Sequence, residues 1–531
     1  MFHRLTQIEQ YWTQDFSISS DDLDHLHNRL LEEEQPLPIG TLTMAVMSNR
    51  IDQESARLKR MLAKGTLYKP GDSFTAGETL VFPAFDFGTA TVLGTRPGYN
   101  PEFGEFQVIE VQFTRTKRKR EFAAELEHTH SLNQETDNLL QAAPSRKSTQ
   151  DLHQQYGPQI EEKLRIALEN QADLVQLFGL WFLKALITEI GVGYLNIAEA
   201  ILDIADGNPL RTADMLRDLG LPAESRPELL EFSLNFALHN DDRFDEVGPS
   251  GQVLWYLRHM EPKEVLFPPK RLIYTPIPYG HELLNLNLRK LEQELDDEWS
   301  SGWESAGEPE PASFVLTYPH RRHGTIPLSS RIAPLFPTSY ETPRIRCTFV
   351  DGQTGEEMDA WVVWEGRFVY GLADWYAANR LPIGAILQIA AGSEPGVIII
   401  EYDRNRSRRE WVRVALAEDE GLIFGMQKWN VSCGYDDMMM IGMHALDEAD
   451  KVWIKSQEEN WSLAYIMVKL FPLLAKLSPQ NTVHAKTVYS AVNMVRRCPP
   501  GPIFAELVRQ PCFISMGENY WRFNASLWSG G

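Results

Sequence analysis

Arginine and lysine gather in short runs whose chemistry suits phosphate. The densest is Arg115 with Lys117-Arg118-Lys119-Arg120. A second is His320-Arg321-Arg322-His323, and a third is Arg404, Arg406, Arg408 and Arg409. The third is expected to be a loop joining two strand-like runs, Val397 to Tyr402 and Glu410 to Ala415. A guanidinium offers paired N–H donors that match two phosphate oxygens, so an arginine-rich loop between strands has the geometry to grip a backbone. Asp403 and Glu410 would neutralise part of it if it were only a solvated hairpin tip. Lys486, Arg496, Arg497 and Arg509 form a fourth basic set near the C-terminus. Contacts of this kind position a nucleic acid and do not read its sequence.

The same search finds no local signature of catalysis. There is no Gly-rich loop ending in Lys-Ser/Thr and no Gly-x-Ser-x-Gly elbow. His281-Glu282-Leu283-Leu284-Asn285 opens like a zinc-protease helix, but Asn285 stands where the second histidine is needed. Asp436-Asp437 reads as a cap. Cys433, between Ser432 and Gly434, has no histidine in a paired motif and reads as a buried structural thiol. The four cysteines, Cys347, Cys433, Cys498 and Cys512, are scattered and form no C-x-x-C pair. That argues against a zinc ribbon or a disulfide framework and fits a reducing cytoplasm. No catalytic residue, metal or cofactor is expected. A site assembled from distant residues is the enzyme reading that local motifs leave open.

The charge balance is acidic, with 51 Lys and Arg against 73 Asp and Glu, a net charge of -22. A protein coating nucleic acid is usually basic, so binding here has to come from local patches on an acidic body. The longest apolar candidate, Leu177 to Val192, is broken by Lys184 and Glu189, too soon for a membrane span. Met1 to Asp15 lacks the basic-then-apolar pattern of a signal peptide.

A chain of 531 residues predicts three or more domains. The expected fold class is α+β and multidomain, with winged-helix modules combined with small β-barrels. Residues 1–66 read as a helical unit: Leu23, Leu26, Leu30 and Leu31 share a face, and shorter helices follow at about Thr41 to Ser48 and Gln53 to Lys64. In 67–141 the period changes to two, which predicts a small barrel with a basic tail and turns at Gly94 to Asn100, Pro101 and Gly104. Ala142 to Gly157 is expected as a linker, and 158–260 as mainly helical. Pro268 to Pro278 should wrap a surface. Acidic, Ser/Gly/Pro-bearing Glu292 to Pro311 is expected to be the clearest domain linker. A strand-rich domain should span 312–443, with a helix near Ala373 to Asn379. The rest, 445–531, should be a helical segment and a last small unit.

An internal repeat runs through this plan. Ile197 to Leu257 offers a helix, Gly207-Asn208-Pro209-Leu210, two more helices, then Arg243-Phe244, Val247-Gly248 and a strand through Trp255 to Leu257. Cys512 to Phe523 ends alike, with Gly517 and Trp521 in a hairpin. Leu23 to Leu67 has the helices and a Pro-Leu-Pro step but no evident wing. The central stretch, on Gly207, Pro209-Leu210, Arg243-Phe244 and Val247-Gly248, resembles the HARE-type winged helix found in the delta subunit of bacterial RNA polymerase. The C-terminal stretch, about 482–523, resembles it more weakly. The strand-rich unit, with Asp374-Trp375-Tyr376 before Leu381-Pro382-Ile383-Gly384 and a strand, resembles the plant-type DNA-binding pseudobarrel. These resemblances imply DNA, chromatin or polymerase association rather than catalysis. The third central helix, from Pro227, carries Glu228 and Glu231 and only His239 as a possible cation, which suits protein contact better than a major groove. The terminal copy is expected to be the better nucleic-acid binder. The reading is a non-catalytic nucleic-acid-binding protein of transcription. The alternative is a protein-interaction scaffold or accessory subunit of a transcription or defence complex.

Overall fold

The structure, a computed structural model, describes residues 4–128, 147–221, 226–301, 308–418 and 421–529. It divides into two units, Met1–Glu189 with Pro222–Ser233 and Ile190–Leu221 with Leu234–Gly531.

In the first unit, helix α1 (Ser20–Glu33) starts at a capping box. The Ser19 hydroxyl oxygen accepts from the Asp22 backbone N–H, and the Asp22 carboxylate accepts from the Ser19 N–H. Strand β1 (Leu37–Pro38) leads straight into α2 (Ile39–Leu62). The two shorter helices expected here are one, because no Gly or Pro interrupts Ser48 to Gln53. Next comes a five-stranded sheet in chain order: β2 (Thr66–Leu67), β3 (Thr79–Phe82), β4 (Gly88–Asn100), β5 (Gly104–Phe113) and β6 (Lys119–Ala124). Tyr68, Phe74, Phe82, Ile109 and Val111 fill its core. Gly94 to Asn100, expected as a turn, lies inside β4, which continues past a bulge at Val92/Gly94 and pairs with β5 as far as Asn100↔Gly104.

Helix α3 (Thr149–Glu169) corrects the expected linker at 142–157, of which 142–146 lie outside the described residues. It has its own capping box, Ser148 with Asp151, and buries Leu152, Tyr156, Ile160, Leu164 and Leu168, a four-residue repeat that makes one apolar stripe. The hairpin β7 (Leu174–Leu177) and β8 (Leu180–Leu183) follows. Strand β8 pairs with β1, placing Leu37 opposite Trp181. The N-terminal repeat therefore does have a hairpin. The five-stranded sheet stands in the sequence between its second helix and its third, which is why the expected boundary at residue 66 cuts the unit in two.

The second unit opens with the central copy: α4 (Val192–Ile204), β9 (Leu210–Arg211), α5 (Thr212–Leu219), α6 (Pro227–His239), β10 (Phe244–Glu246) and β11 (Leu254–Leu257). Helix α6 begins in the first unit and ends in the second. Leu210 pairs with Trp255 as Leu37 does with Trp181. Trp255 is fully buried, and its indole N–H donates to Asn235 Oδ1 at 2.9 Å. The Thr212 hydroxyl donates to the same oxygen at 2.6 Å.

Helix α7 (Leu286–Leu295) comes next, and then a mixed seven-stranded half-barrel. Its elements are β12 (Ala312–Val315), α8 (Tyr318–His323), β13 (Thr325–Pro327), β14 (Arg344–Asp351), β15 (Glu357–Val363), β16 (Phe368–Tyr370), α9 (Ala373–Ala378), β17 (Ile386–Ala391) and β18 (Val397–Tyr402). The spatial order is β12-β17-β18-β14-β15-β16-β13, with only β14 and β18 parallel. One face buries Phe349, Ala360, Val362 and Val369. The other carries Trp361, Val363 and Phe368, which pack on Val247 and Tyr256 of the central copy. A long hairpin, β19 (Arg404–Glu418) and β20 (Gly421–Cys433), forms its own two-stranded sheet. Last come α10 (Ala449–Glu458), α11 (Leu463–Ala475), β21 (Thr482–His484), α12 (Ala485–Val495), α13 (Pro500–Arg509), β22 (Phe513–Gly517) and β23 (Tyr520–Phe523), where Val483 lies opposite the buried Trp521.

The first part of the stretch expected to be the clearest linker, 292–298, packs into the core, whereas 302–307 lie outside the described residues and 308–311 are exposed. Leu288, Leu291 and Glu292 are buried in α7, and Asp297 and Glu298 beyond it are almost fully buried. Composition misleads here because these acids are paired: Arg497 reaches Asp297 at 2.6 Å and Glu298 at 2.7 Å. Tyr489 donates to Asp297 at 2.6 Å, and His320 lies 3.2 Å from Glu298. Burial raises the Asp297 carboxyl. For Glu298 burial acts in the same upward direction, but Arg497 and His320 outweigh it and bring the group down to about 2. The prolyl strap at 268–278 does wrap the surface of this core. Its Arg271 donates to the carbonyls of Met494 and Ala449 at 3.0 and 2.7 Å.

Replacing Arg497 with Met leaves two buried carboxylates without their cation and should lower stability by about 3–5 kcal/mol, read from urea unfolding. Where the central copy meets the half-barrel, burial raises Glu246 to about 7 and Glu261 to about 8. Carboxyls raised in the folded state contribute stability that is complete below their ordinary value and lost as pH rises through the raised one. The melting temperature should therefore fall between about pH 5 and pH 8, and Glu246→Gln should flatten that decline.

Candidate nucleic-acid interface

The third arginine run is strand, not loop. Arg404 pairs with Cys433, the register slips through a bulge, and pairing resumes at Arg408↔Val431. The extra residues in a bulge are left out of the ladder. All four arginines are exposed. Arg404 donates to the Tyr402 hydroxyl at 2.9 Å, whereas the side chains of Arg406, Arg408 and Arg409 have no partner among the described residues.

Alternation decides what the rest of the hairpin shows. Val412 and Val414 are buried, so Arg409 and Trp411 face outward with their cross-strand partners Asn430 and Lys428. Trp411 is 62% exposed, and the Lys428 ammonium lies 5.3 Å from its ring centroid. The result is an aromatic plate bordered by cations, a surface suited to a base and its phosphate.

On the opposite face of β20, to which Trp429 and Val431 belong, a cleft of about 620 Å³ opens between the hairpin, α9 and the segment after β20. Arg321, Arg322, Arg380, Trp429, Asn430 and His444 supply its polar and aromatic walls. Gly384 allows its floor to close: φ is +93°, and a Cβ there would come within 2.7 Å of Met440 Cα. Trp429 lies flat on Gly442, where a Cβ would be 3.2 Å from three ring atoms. Arg321 donates to the Leu381 carbonyl at 2.6 Å and stands over Tyr376 at 5.6 Å, with no carboxylate partner among the described residues. Burial lowers its pKa, opposed by Tyr376, yet a guanidinium stays charged. Arg322 is different, being bound to Asp450 at 2.9 Å.

The other sequence candidates divide by burial. Arg115, Lys117 and Arg118 lie on the exposed turn between β5 and β6, in the first unit. Lys119 and Arg120 belong to β6, not to a tail after the sheet. Lys119 pairs with Glu110 at 3.3 Å, and Arg120 lies over Phe85 at 4.9 Å. The C-terminal set changes role. Arg497 is buried and holds the acid pair, so it has no surface for a phosphate. Lys486 bridges Glu294 at 2.6 Å and Asp436 at 2.8 Å. Arg496 donates to the Trp461 carbonyl at 3.2 Å, and Arg509 pairs with Glu506. Moreover, α12 is buried along nearly all its length, and α13 from Pro500 to Leu507. Helices enclosed along these lengths present no open face for a groove.

Sequence reasoning missed Arg380, Trp411, Lys428, Trp429 and Asn430. The alternation Trp411-Val412-Arg413-Val414 did carry a signal, because two buried valines force the tryptophan outward. Asp436 acts as a cap, accepting from the backbone N–H groups of Met438 and Met439 at 2.8 and 3.1 Å. Among the described residues no group of His, Cys, Asp and Glu has the arrangement of a metal site, and no helix is long and apolar enough to cross a membrane. Comparison with protein-family models, curated proteins and solved structures found no match to this chain.

All four cysteines are buried, and burial raises each thiol, Cys433 to about 11. Native protein should therefore react with a thiol reagent at least tenfold more slowly than protein in guanidinium, where all four titrate.

Proposed function

We propose that this chain is a non-catalytic nucleic-acid-binding protein, and that the exposed arginine end of the β19–β20 hairpin holds the phosphate backbone. The observation that carries the reading is the set of unpaired arginines, Arg406, Arg408 and Arg409, beside exposed Trp411 on a protein of net charge -22. Bare cations on an acidic body cost self-repulsion relieved by ion pairing elsewhere in the fold, and an anionic ligand would offset their isolation. The three units of helix, short strand, two helices and hairpin are read as winged-helix modules, the central one of the HARE type. The half-barrel, with short helices after its first and fifth strands, is read as the pseudobarrel of a DNA-binding protein. A role in transcription, with RNA polymerase as a partner, follows from that reading. A second reading, a protein-interaction scaffold, draws support from the acidic helix α6, where burial and neighbouring Glu228 raise Glu231.

Fluorescence anisotropy with random-sequence duplex and single-stranded DNA at about 50 and 200 mM salt tests the proposal. Binding should weaken steeply with salt. The R406A/R408A/R409A variant should reduce the slope of log K against log salt by about one for each phosphate no longer neutralised. Trp411→Ala should cost single-strand binding about 1–3 kcal/mol and duplex binding less. Equal binding by wild type and the triple variant would remove the hairpin from the interface.

A further inference from the structure

We propose that the cleft at Arg321, Arg380 and Trp429 is a site for a single unstacked nucleotide, with the phosphate on the two guanidiniums and the base against the tryptophan. The inference rests on the reading of the neighbouring hairpin end as a nucleic-acid surface. It adds to that end a recess where the ligand ends or leaves the stack.

At about 620 Å³ the cleft is in the range of small-ligand sites and far larger than one phosphate needs. Its composition is divided in the way a nucleotide is divided. Leu381, Pro382, Ile383, Met440 and Met443 make an apolar wall beside Trp429, and the arginines complete the lining. Methionine sulfur and an indole face both suit a flat, polarizable ring.

Charge points the same way. Among the residues lining the cleft, Asp447 is the sole carboxylate, against Arg321, Arg322 and Arg380. Arg322 is committed to Asp450, which also takes Arg271 at 2.8 Å. Arg321 is half-buried with only a carbonyl and a ring as partners, and the exposed side chain of Arg380 has no partner among the described residues. Both arginines line the same cleft, and Arg321 is anchored to the carbonyl of Leu381, the residue next to Arg380. A half-buried cation without a counter-ion gains most from an anion that brings several acceptor oxygens.

The cleft also adjoins the arginine end of the hairpin, where Trp429, Asn430 and Val431 of β20 line it. Asn430 lines it and lies directly across from Arg409 on the outward face. Arg408 lies across from Val431, which also lines the cleft, so a strand held at this end of the hairpin would deliver its end, or one unpaired residue, to the cleft mouth. The shared chemistry is a nucleoside monophosphate, whether free or part of a strand.

The test uses the full chain and calorimetric titration with dAMP, with deoxyadenosine as the phosphate-free control, and with single-stranded oligonucleotides bearing a 5′-phosphate or a 5′-hydroxyl. Saturable binding of dAMP, at least tenfold tighter than deoxyadenosine, supports the site, with a free nucleotide as the source if the two oligonucleotides bind alike. Tighter binding of the 5′-phosphorylated strand supports the site with a strand end as the source. Arg321→Met and Arg380→Gln should each weaken that binding about tenfold. Arg321 packs on Tyr376, so its variant is checked for folding, whereas the exposed Arg380 side chain holds no other group in place. No saturable binding of dAMP and no preference for the 5′-phosphate overturns the proposal, as does unchanged binding by R380Q. The hairpin variant R406A/R408A/R409A separates the two readings. Salt-sensitive duplex binding that it abolishes, with no nucleotide binding by wild type, rejects the cleft and keeps the hairpin. Nucleotide binding without any duplex binding rejects the hairpin and keeps the cleft.

Discussion

Arg497 is the cation on which the second unit depends. Its guanidinium joins Asp297 and Glu298, which follow helix α7, to Asn493 on α12. Glu298 continues the connection to His320 on α8, and its backbone carbonyl accepts from Arg367 in the turn after β15. Segments some 200 residues apart in sequence thus converge on one buried charge. Ionised groups in such a place are stable only as a complete set, since loss of any one strands the others. The cost of assembling the set fixes where the C-terminal helices sit against the half-barrel. Those helices in turn hold the segment Met438 to Met443, through Thr487 and Ser490 donating to the carbonyls of Met438 and Met439. That segment is a wall of the arginine cleft. The charge that binds no ligand therefore sets the geometry of the charges that stand free.

How much of this could be read from the chain depends on range. Local rules served well where the determinant is local. The alternation of Ile345, Cys347 and Phe349 marks β14, and the hairpin signals around Trp255 and Trp521 mark the second and third repeats. They failed where the partner is distant. Arg496 and Arg497 are neighbours of identical type, yet one is half-exposed and the other buried, and the difference is made by two acids near residue 300. Acidic Glu292 to Glu298 looked like solvent-exposed linker for the same reason. The hairpin of the first repeat was invisible because its strand partner lies beyond an inserted sheet. Of the candidate site, the arginines were legible as types, but Arg321 and Arg380 are gathered into one cleft only by the packing of α8, α9 and β20.

Bare and paired arginines also differ in how far they act through solvent. At physiological salt a surface charge is felt over about 8 Å. The acidic excess of the body is thus largely screened for a ligand at the hairpin, and it repels a polyanion only where the two come within that range. On the proposed reading, a phosphate would meet attraction only close to the exposed arginines, which would favour contact there over contact elsewhere.

The interruption of the first repeat has a consequence for biosynthesis. Helices α1 and α2 leave the ribosome with Leu26, Leu30, Leu42 and Val46 destined for a core whose closing strand, β8, lies about 140 residues downstream. At ordinary elongation of about 5–20 residues per second that is a wait of roughly 7–30 s, long compared with helix formation or collapse. The five-stranded sheet made during the wait has its own aromatic core and brings its ends, Thr66 and Ala124, into one sheet. Once folded, it turns a long flexible loop into a short rigid one and lowers the entropy that must be lost to bring α3 back to α2. The nascent chain is thus a sequence of dependent closures, and the period before β8 emerges is when this protein is most exposed to aggregation and most in need of a chaperone.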